Sequence, residues 1–126
     1  MGPSRGQGGL VVRRQYVPER GDLVWLDFDP HAGHEQGGRR PALALSPKYY
    51  NQKTGLGVFC PITNQVKGFP FEVALPPESK VTGAVLADHL KNVDWRVRKA
   101  RRIDRAGPEV IDEVLQKIAV LLGAEP

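Results

Sequence analysis

The sequence predicts a mainly β protein: a small, strongly bent antiparallel sheet or barrel followed by one terminal amphipathic helix. Three observations point there. Short apolar runs alternate with period two between residues 22 and 94, Gly, Pro and Asn punctuate them, and a period of three to four appears only after Pro108. With 126 residues there is material for one domain with a real core and not for two. Residues 16–126 are therefore read as one domain. Residues 1–15, "MGPSRGQGGLVVRRQ", are read as a disordered extension, because their apolar run of three is too short for a signal-peptide core.

The elements follow in order. "DLVWLDF" (residues 22–28) is bounded by Gly21 and Pro30 and sets Val24, Leu26 and Phe28 on one face, with Leu23, Trp25 and Asp27 on the other. That is a strand buried on one side and partly on the second. A polar, Gly-rich loop, "DPHAGHEQGG", leads into "RPALALS", a second strand that Pro47 stops. Pro41 has no N–H for the ladder, so it marks an edge strand or a strand beginning. "LGVFCPIT" (residues 56–63) gives a third strand with Leu56, Val58, Cys60 and Ile62 on one face. "FPFEVAL" gives a fourth, in which Phe69, Phe71, Val73 and Leu75 alternate with Glu72 and Ala74. "GAVLADHLKNVDW" reads as a fifth strand that continues past an irregular Ala-Asp-His step, and the basic segment after it as a shorter sixth. Val110, Ile111, Val114, Leu115, Ile118, Leu121 and Leu122 then recur at helical spacing. Pro108 suits the first turn and Gly123 the stop.

Charge narrows the function classes. The formal charge is +4, but Arg5, Arg13 and Arg14 lie in the extension, which leaves 15 bases against 14 acids from residue 16 onward. The distribution says more than the total: residues 96–105, "RVRKARRIDR", hold six bases and one acid, and phosphate binding needs clustered cations more than a high overall charge. No apolar run approaches the ~18–20 residues that span a bilayer. One cysteine, Cys60, can neither close an internal disulfide nor join a Cys-type zinc cluster, and it suits a reducing cytoplasm.

Several chemistries lack their residues. His31, His34 and Glu35 have neither helical i, i+4 spacing nor paired cysteines, so no functional metal site is expected and no cofactor is implied. There is no Gly-x-Ser-x-Gly elbow and no Gly-Lys-Ser/Thr phosphate loop. What remains is a polar set in loops and at strand ends: Glu35, Arg40, Thr63, Asn64, Gln65 and the basic segment from Arg96. On RNA such a set has a use, because the 2′-hydroxyl is a nucleophile already tethered beside the phosphorus. The reaction needs a base, a cation for the extra charge on the phosphorane, and help for the leaving 5′ oxygen. A Glu serves as base, a guanidinium forks onto two phosphate oxygens, and a Thr hydroxyl holds the phosphate in register. Arg is too weak an acid to donate the proton, so the general acid stays open. Plainer readings stand beside this one. Glu35 and Arg40 can form a surface ion pair worth ~0–1 kcal/mol, and Thr63 can be a turn residue. Trp25 and Trp95 can be core aromatics, although Trp95 beside Arg96 can also stack on a base, and the basic run can be a solvated face.

The stretches "YVPERGDLVWLDFDP", "GHEQGGRRPALALSP", "YYNQKTGLG", "PITNQVKGFPFEV" and "GAVLADHLKNVDW", in that order, resemble the MazF/PemK family of toxin endoribonucleases over about residues 16–103. The resemblance implies an SH3-like small antiparallel barrel of the kind shared with the CcdB toxins, working as a cytoplasmic homodimer. It implies metal-independent cleavage of single-stranded RNA at a short sequence, leaving a 2′,3′-cyclic phosphate and a 5′-hydroxyl. It also implies a cognate, MazE-like antitoxin with an acidic, disordered tail. The family's catalytic arginine falls on Arg40, its catalytic threonine on Thr63 and its loop glutamate on Glu35. Phe28, Gln36, Asn64, Gln65 and Lys67 carry over as RNA contacts, and Arg39, Arg96 and Arg98 are added from the local charge. Arg39 directly precedes Arg40, so two cations compete for the phosphate. Two other functions compete as well: a non-catalytic toxin of the same fold that poisons a topoisomerase, and a single-stranded nucleic-acid binding module without turnover.

Overall fold

The computed structural model describes residues 15–28 and 38–124. The expected extension, apart from Gln15, and the site residues Glu35 and Gln36 lie outside the described residues. Seven strands are present: β1 (Asp22–Asp27), β2 (Arg39–Ala44), β3 (Leu56–Thr63), β4 (Glu72–Ala74), β5 (Ala84–Leu86), β6 (Lys91–Asp94) and β7 (Arg101–Arg105). A short helix α1 (Lys48–Thr54) precedes β3, and helix α2 (Pro108–Leu121) ends the described chain. All pairings are antiparallel, in the order β4-β5-β3-β2-β1-β7, with β6 also on β3.

The bend comes from β3. Its first half, Leu56 to Phe59, pairs with β6, and its last two residues, Ile62 and Thr63, pair with β5. Its other edge pairs with β2 through Phe59, Cys60 and Pro61. One strand thus belongs to two sheets that diverge along its length, which curls the whole in a barrel-like way without closing it among the described residues. The expected single fifth strand is therefore two strands. The irregular Ala-Asp-His step is a turn of 3-10 helix, Ala87–His89, that carries the chain from one half of β3 to the other. Val85 before it and Ala87 at its start are both buried in the core.

Period-two alternation builds a core on each face. Leu23, Leu43, Cys60 and Ile62 face α2, whose Val110, Val114 and Ile118 lie one turn apart on its buried stripe. Each such side chain contributes about 1.5–3 kcal/mol of burial. Val24, Leu26, Ala42, Ala44 and Phe59 face the opposite way, onto Val93 and Trp95. The first strand is accordingly buried on both faces. Helix α2 starts and stops as its signals predict, with Pro108 in the first turn and Gly123 in the left-handed region at φ 74°.

Three expectations change. "SPKYYNQKTG" holds helix α1, which sequence periodicity missed because a seven-residue helix that buries only Asn51 has no apolar stripe to read. Asn51 is held by polar contacts instead. Its amide donates to the carbonyls of Pro18 (2.8 Å) and Ser46 (3.0 Å), its side-chain oxygen accepts from the Ser46 hydroxyl (2.6 Å), and its backbone carbonyl accepts from the Trp95 indole (2.9 Å). The fourth strand shrinks to three residues, since Phe69 lies exposed and residues 67–71 turn around Glu72, whose carboxylate accepts from the N–H groups of Lys67 and Gly68. Finally, β2 is an interior strand, so Pro41 marks no edge. It sits one residue before pairing with β3 begins at Ala42.

Candidate active-site cleft

Strand register determines which polar side chains meet. β1 sets Leu26 opposite Arg40, and β2 sets Ala42 opposite Pro61. Continued by two residues, the β2/β3 register brings Arg40 across from Thr63, on the same face of adjacent strands. Both residues line a cleft of about 620 Å³ at this end of the sheet. Its wall includes Arg39, Asn64 and Gln65, all expected as site residues, together with Trp25, Lys80 and Thr82.

The two neighbouring arginines differ in what already holds them. Arg39 forms an ion pair with Asp27 at 2.8 Å and donates to the carbonyl of Lys99 at 2.8 Å. Arg40 is exposed and has no side-chain hydrogen bond or ion pair among the described residues. Thr63 is half-buried, and its hydroxyl oxygen accepts from the N–H of Gln65 at 3.0 Å. That contact orients the hydroxyl while leaving its proton to donate elsewhere. A guanidinium and a hydroxyl facing one cleft, with donors unspent among the described residues, have the chemistry to meet phosphate oxygens.

The remaining expected residues lie elsewhere. Phe28 is half-buried outside the cleft, with the Lys91 ammonium 6.0 Å from its ring centroid. Lys67 stands over the ring of Phe69 at 5.9 Å. Arg96 stacks on Trp95 at 5.0 Å, and Trp95 is itself 2% exposed, so the idea that Trp95 stacks on a base gives way to a core role. Arg98 donates to the backbone carbonyls of Asp27 and Phe28. Arg102 and Arg105 turn to the buried carboxylate of Asp22, which also accepts from the Tyr16 hydroxyl at 2.5 Å. Half of the run's six cations, Arg98, Arg102 and Arg105, thus hold internal partners, while Arg96, Lys99 and Arg101 stay exposed.

The base of the segment 29–37 is closed by the Phe28 N–H donating to the Gly38 carbonyl at 2.7 Å, beside the Asp27–Arg39 pair. Sequence reasoning missed Lys80 and Thr82 because the loop 76–83 approaches the cleft only through the β3/β5 pairing. The one signal for it was Gly83, whose φ of +114° sets the chain directly against Thr63. Cys60 is fully buried, and burial pushes its thiol up to about 12. Among the described residues no three His, Cys, Asp or Glu side chains gather in a metal-binding arrangement, and no helix is long and apolar enough to cross a membrane.

A bent antiparallel sheet whose strand ends bring a guanidinium and a hydroxyl to one cleft, with a single terminal helix packed on one face, defines a small β protein of the SH3-like barrel class. Residues 19–122 match the PemK-like, MazF-like toxin of type II toxin-antitoxin systems, and the chain belongs to that family. It is 48% identical over 109 residues to the endoribonuclease toxin MazF of Escherichia coli (strain K12), a match covering 86% of this chain and 97% of that protein. It is 34% identical over 116 residues to the E. coli endoribonuclease PemK, covering 89% and 87%. The crystal structure of MazF (Form-I) from Deinococcus radiodurans matches with a TM-score of 0.80 at 56% identity, covering 86% of this chain and 99% of that one. A MazE–MazF structure (Form-II) from the same organism matches at 0.78 with 50% identity, covering 86% and 98%.

Proposed function

We propose that the protein is the endoribonuclease toxin of a type II toxin-antitoxin system, cutting single-stranded RNA through the 2′-hydroxyl. One observation carries the assignment: Arg40 and Thr63, brought across from each other when the strand register is continued, both line the cleft with donors to spare among the described residues. The Arg40 guanidinium forks onto the non-bridging oxygens of the scissile phosphate and stabilises the charge that builds on the phosphorane. The Thr63 hydroxyl donates to a phosphate oxygen and holds the group in line. Glu35, from the segment anchored at Phe28 and Gly38, removes the 2′ proton. The 2′ oxygen bonds to the phosphorus as the bond from phosphorus to the 5′ oxygen breaks, which leaves a 2′,3′-cyclic phosphate and, once the general acid has given the 5′ oxygen a proton, a 5′-hydroxyl. A base for the 2′ proton and a fixed cation for the phosphorane charge come from the chain itself, the general acid for the 5′ oxygen stays open, and nothing in the route calls for a metal.

Arg39 shapes the cleft more than it reacts, since Asp27 and the Lys99 carbonyl already take two of its donors and fix its guanidinium. Gln65 and Lys80 supply further contacts to the strand. Cleavage of mRNA in the cytoplasm stops translation and growth. The working unit is a homodimer, and a MazE-like antitoxin with an acidic tail restrains it, a reading supported by the match to structures described as MazE–MazF.

Labelled RNA incubated with purified protein in EDTA, beside Arg40→Ala and Thr63→Ala, tests this. Wild type is expected to cut and both variants to be strongly impaired. Intact RNA with wild type, or cutting only with added metal, would overturn the mechanism. Equal cutting by both variants would overturn the site.

A further inference from the structure

We infer that Thr82 and Asn64 form a base-reading pair, in which Thr82 sets the orientation of the Asn64 amide and thereby the nucleotide accepted beside the scissile phosphate. The inference rests on the ribonuclease reading above and extends it to specificity. Thr82 donates its hydroxyl proton to the side-chain oxygen of Asn64 at 3.0 Å, and both residues line the cleft that holds Arg40 and Thr63.

Two features make this contact more than a chance meeting of surface groups. Thr82 is held in place by the chain on its C-terminal side: Ala84 pairs with Thr63, and Gly83 packs so closely that an added Cβ would stand 2.1 Å from the Thr63 carbonyl oxygen and 3.2 Å from the Asn64 side-chain oxygen. On the other strand, the Gln65 N–H bonded to the Thr63 hydroxyl shapes the turn that presents Asn64. Loop and strand end therefore share one geometry.

The chemistry follows from the amide. Asn can offer two donors and one acceptor oxygen, and a base edge reads whichever of these faces it. With its oxygen turned to Thr82, Asn64 presents N–H donors to the cleft, so it favours a base that places an acceptor, a carbonyl oxygen or ring nitrogen, at that point. A base presenting an exocyclic amino group there leaves two donors opposed, and a site built to donate rejects it. Without the Thr82 hydroxyl the amide can turn over and pair with either kind of edge. Thr82 is thus a positioning residue, and Asn64 the one that touches the base.

Cleavage-site preference, read by sequencing the 5′-hydroxyl ends made from a randomised RNA pool in EDTA, tests the pair. Thr82→Val, which keeps the shape and loses the hydroxyl, is expected to relax preference at one position next to the cut at least about 5-fold. Thr82→Ser is expected to retain it, and Asn64→Ala to lose preference at that same position. Unchanged preference at every position in Thr82→Val, or loss of preference in Thr82→Ser as large as in Thr82→Val, would overturn the inference. Failure of wild type to cut the pool would overturn the ribonuclease reading instead, and so the two are told apart.

Discussion

The basic run at residues 96–105 and the cleft rim at Arg40 and Thr63 invite opposite conclusions depending on how they are viewed. Along the chain the run is the strongest positive cluster, while the rim is an arginine beside another arginine and a threonine after a proline. In space half of the run's six cations are tied to internal partners: Arg98 holds the carbonyls that end β1, and Arg102 and Arg105 attend Asp22, while exposed Arg96 lies on Trp95. Of the two adjacent arginines, Arg39 is held by Asp27 and the Lys99 carbonyl, while Arg40 has no side-chain partner among the described residues. Charge density marks where cations are; unsatisfied donors mark where a ligand is received.

The contrast breaks most sharply at Arg40. Arg40→Ala is expected to lower the RNA cleavage rate by ~100-fold or more, about the effect of removing one donor to a developing oxyanion, while the melting temperature hardly moves. A rate within 10-fold of wild type would move the cation role to Arg39. Asp22→Ala does the reverse. It strips the partner from Tyr16, from the Glu19 N–H and from Arg105, and is expected to cost about 2–3 kcal/mol by urea unfolding, with the folded enzyme still cutting. If stability held and cleavage failed, the basic run would belong to the site after all.

Alkaline titration sharpens the comparison further. Burial raises Tyr16, with the Asp22 carboxylate adding to the shift, and burial raises the Cys60 thiol to about 12. Both groups stay protonated in the folded chain at pH values where the unfolded chain ionises. The stability they add is therefore complete below pH ~8 and declines above it, by up to about 1.4 kcal/mol per pH unit for buried Cys60 and by less for half-buried, solvent-screened Tyr16. Unfolding midpoints measured between pH 8 and 11 should fall, less steeply in Tyr16→Phe. A flat profile would mean that neither group is shielded from water. The smallest effect belongs to Arg39→Ala. It removes a partly exposed ion pair worth about 0–1 kcal/mol and should slow cleavage less than 10-fold, measured beside Arg40→Ala.

Much of this was legible before any coordinates. Alternation placed β1, β2 and β3 within a residue or two, and helical spacing with Pro108 and Gly123 gave α2, because these elements bury a stripe or a face that leaves its period in the chain. Ordered motifs carried the family and pointed to Arg40 and Thr63. The short helix α1 and the break between β5 and β6 left no such trace, since Asn51 is held by polar contacts and residues 87–89 obey the geometry of β3 instead of their own pattern.

The period of each main element, the lack of several catalytic motifs and the residue types available for phosphate chemistry are all written in the chain. Folding set which of those residues already have partners among the described residues. Antiparallel register carried Arg40 and Thr63 to one cleft from positions more than twenty residues apart, spent Arg39 and much of the basic run on internal partners, and brought Thr82 to Asn64. Whether a donor is satisfied depends on neighbours distant along the chain, and local composition holds no record of them.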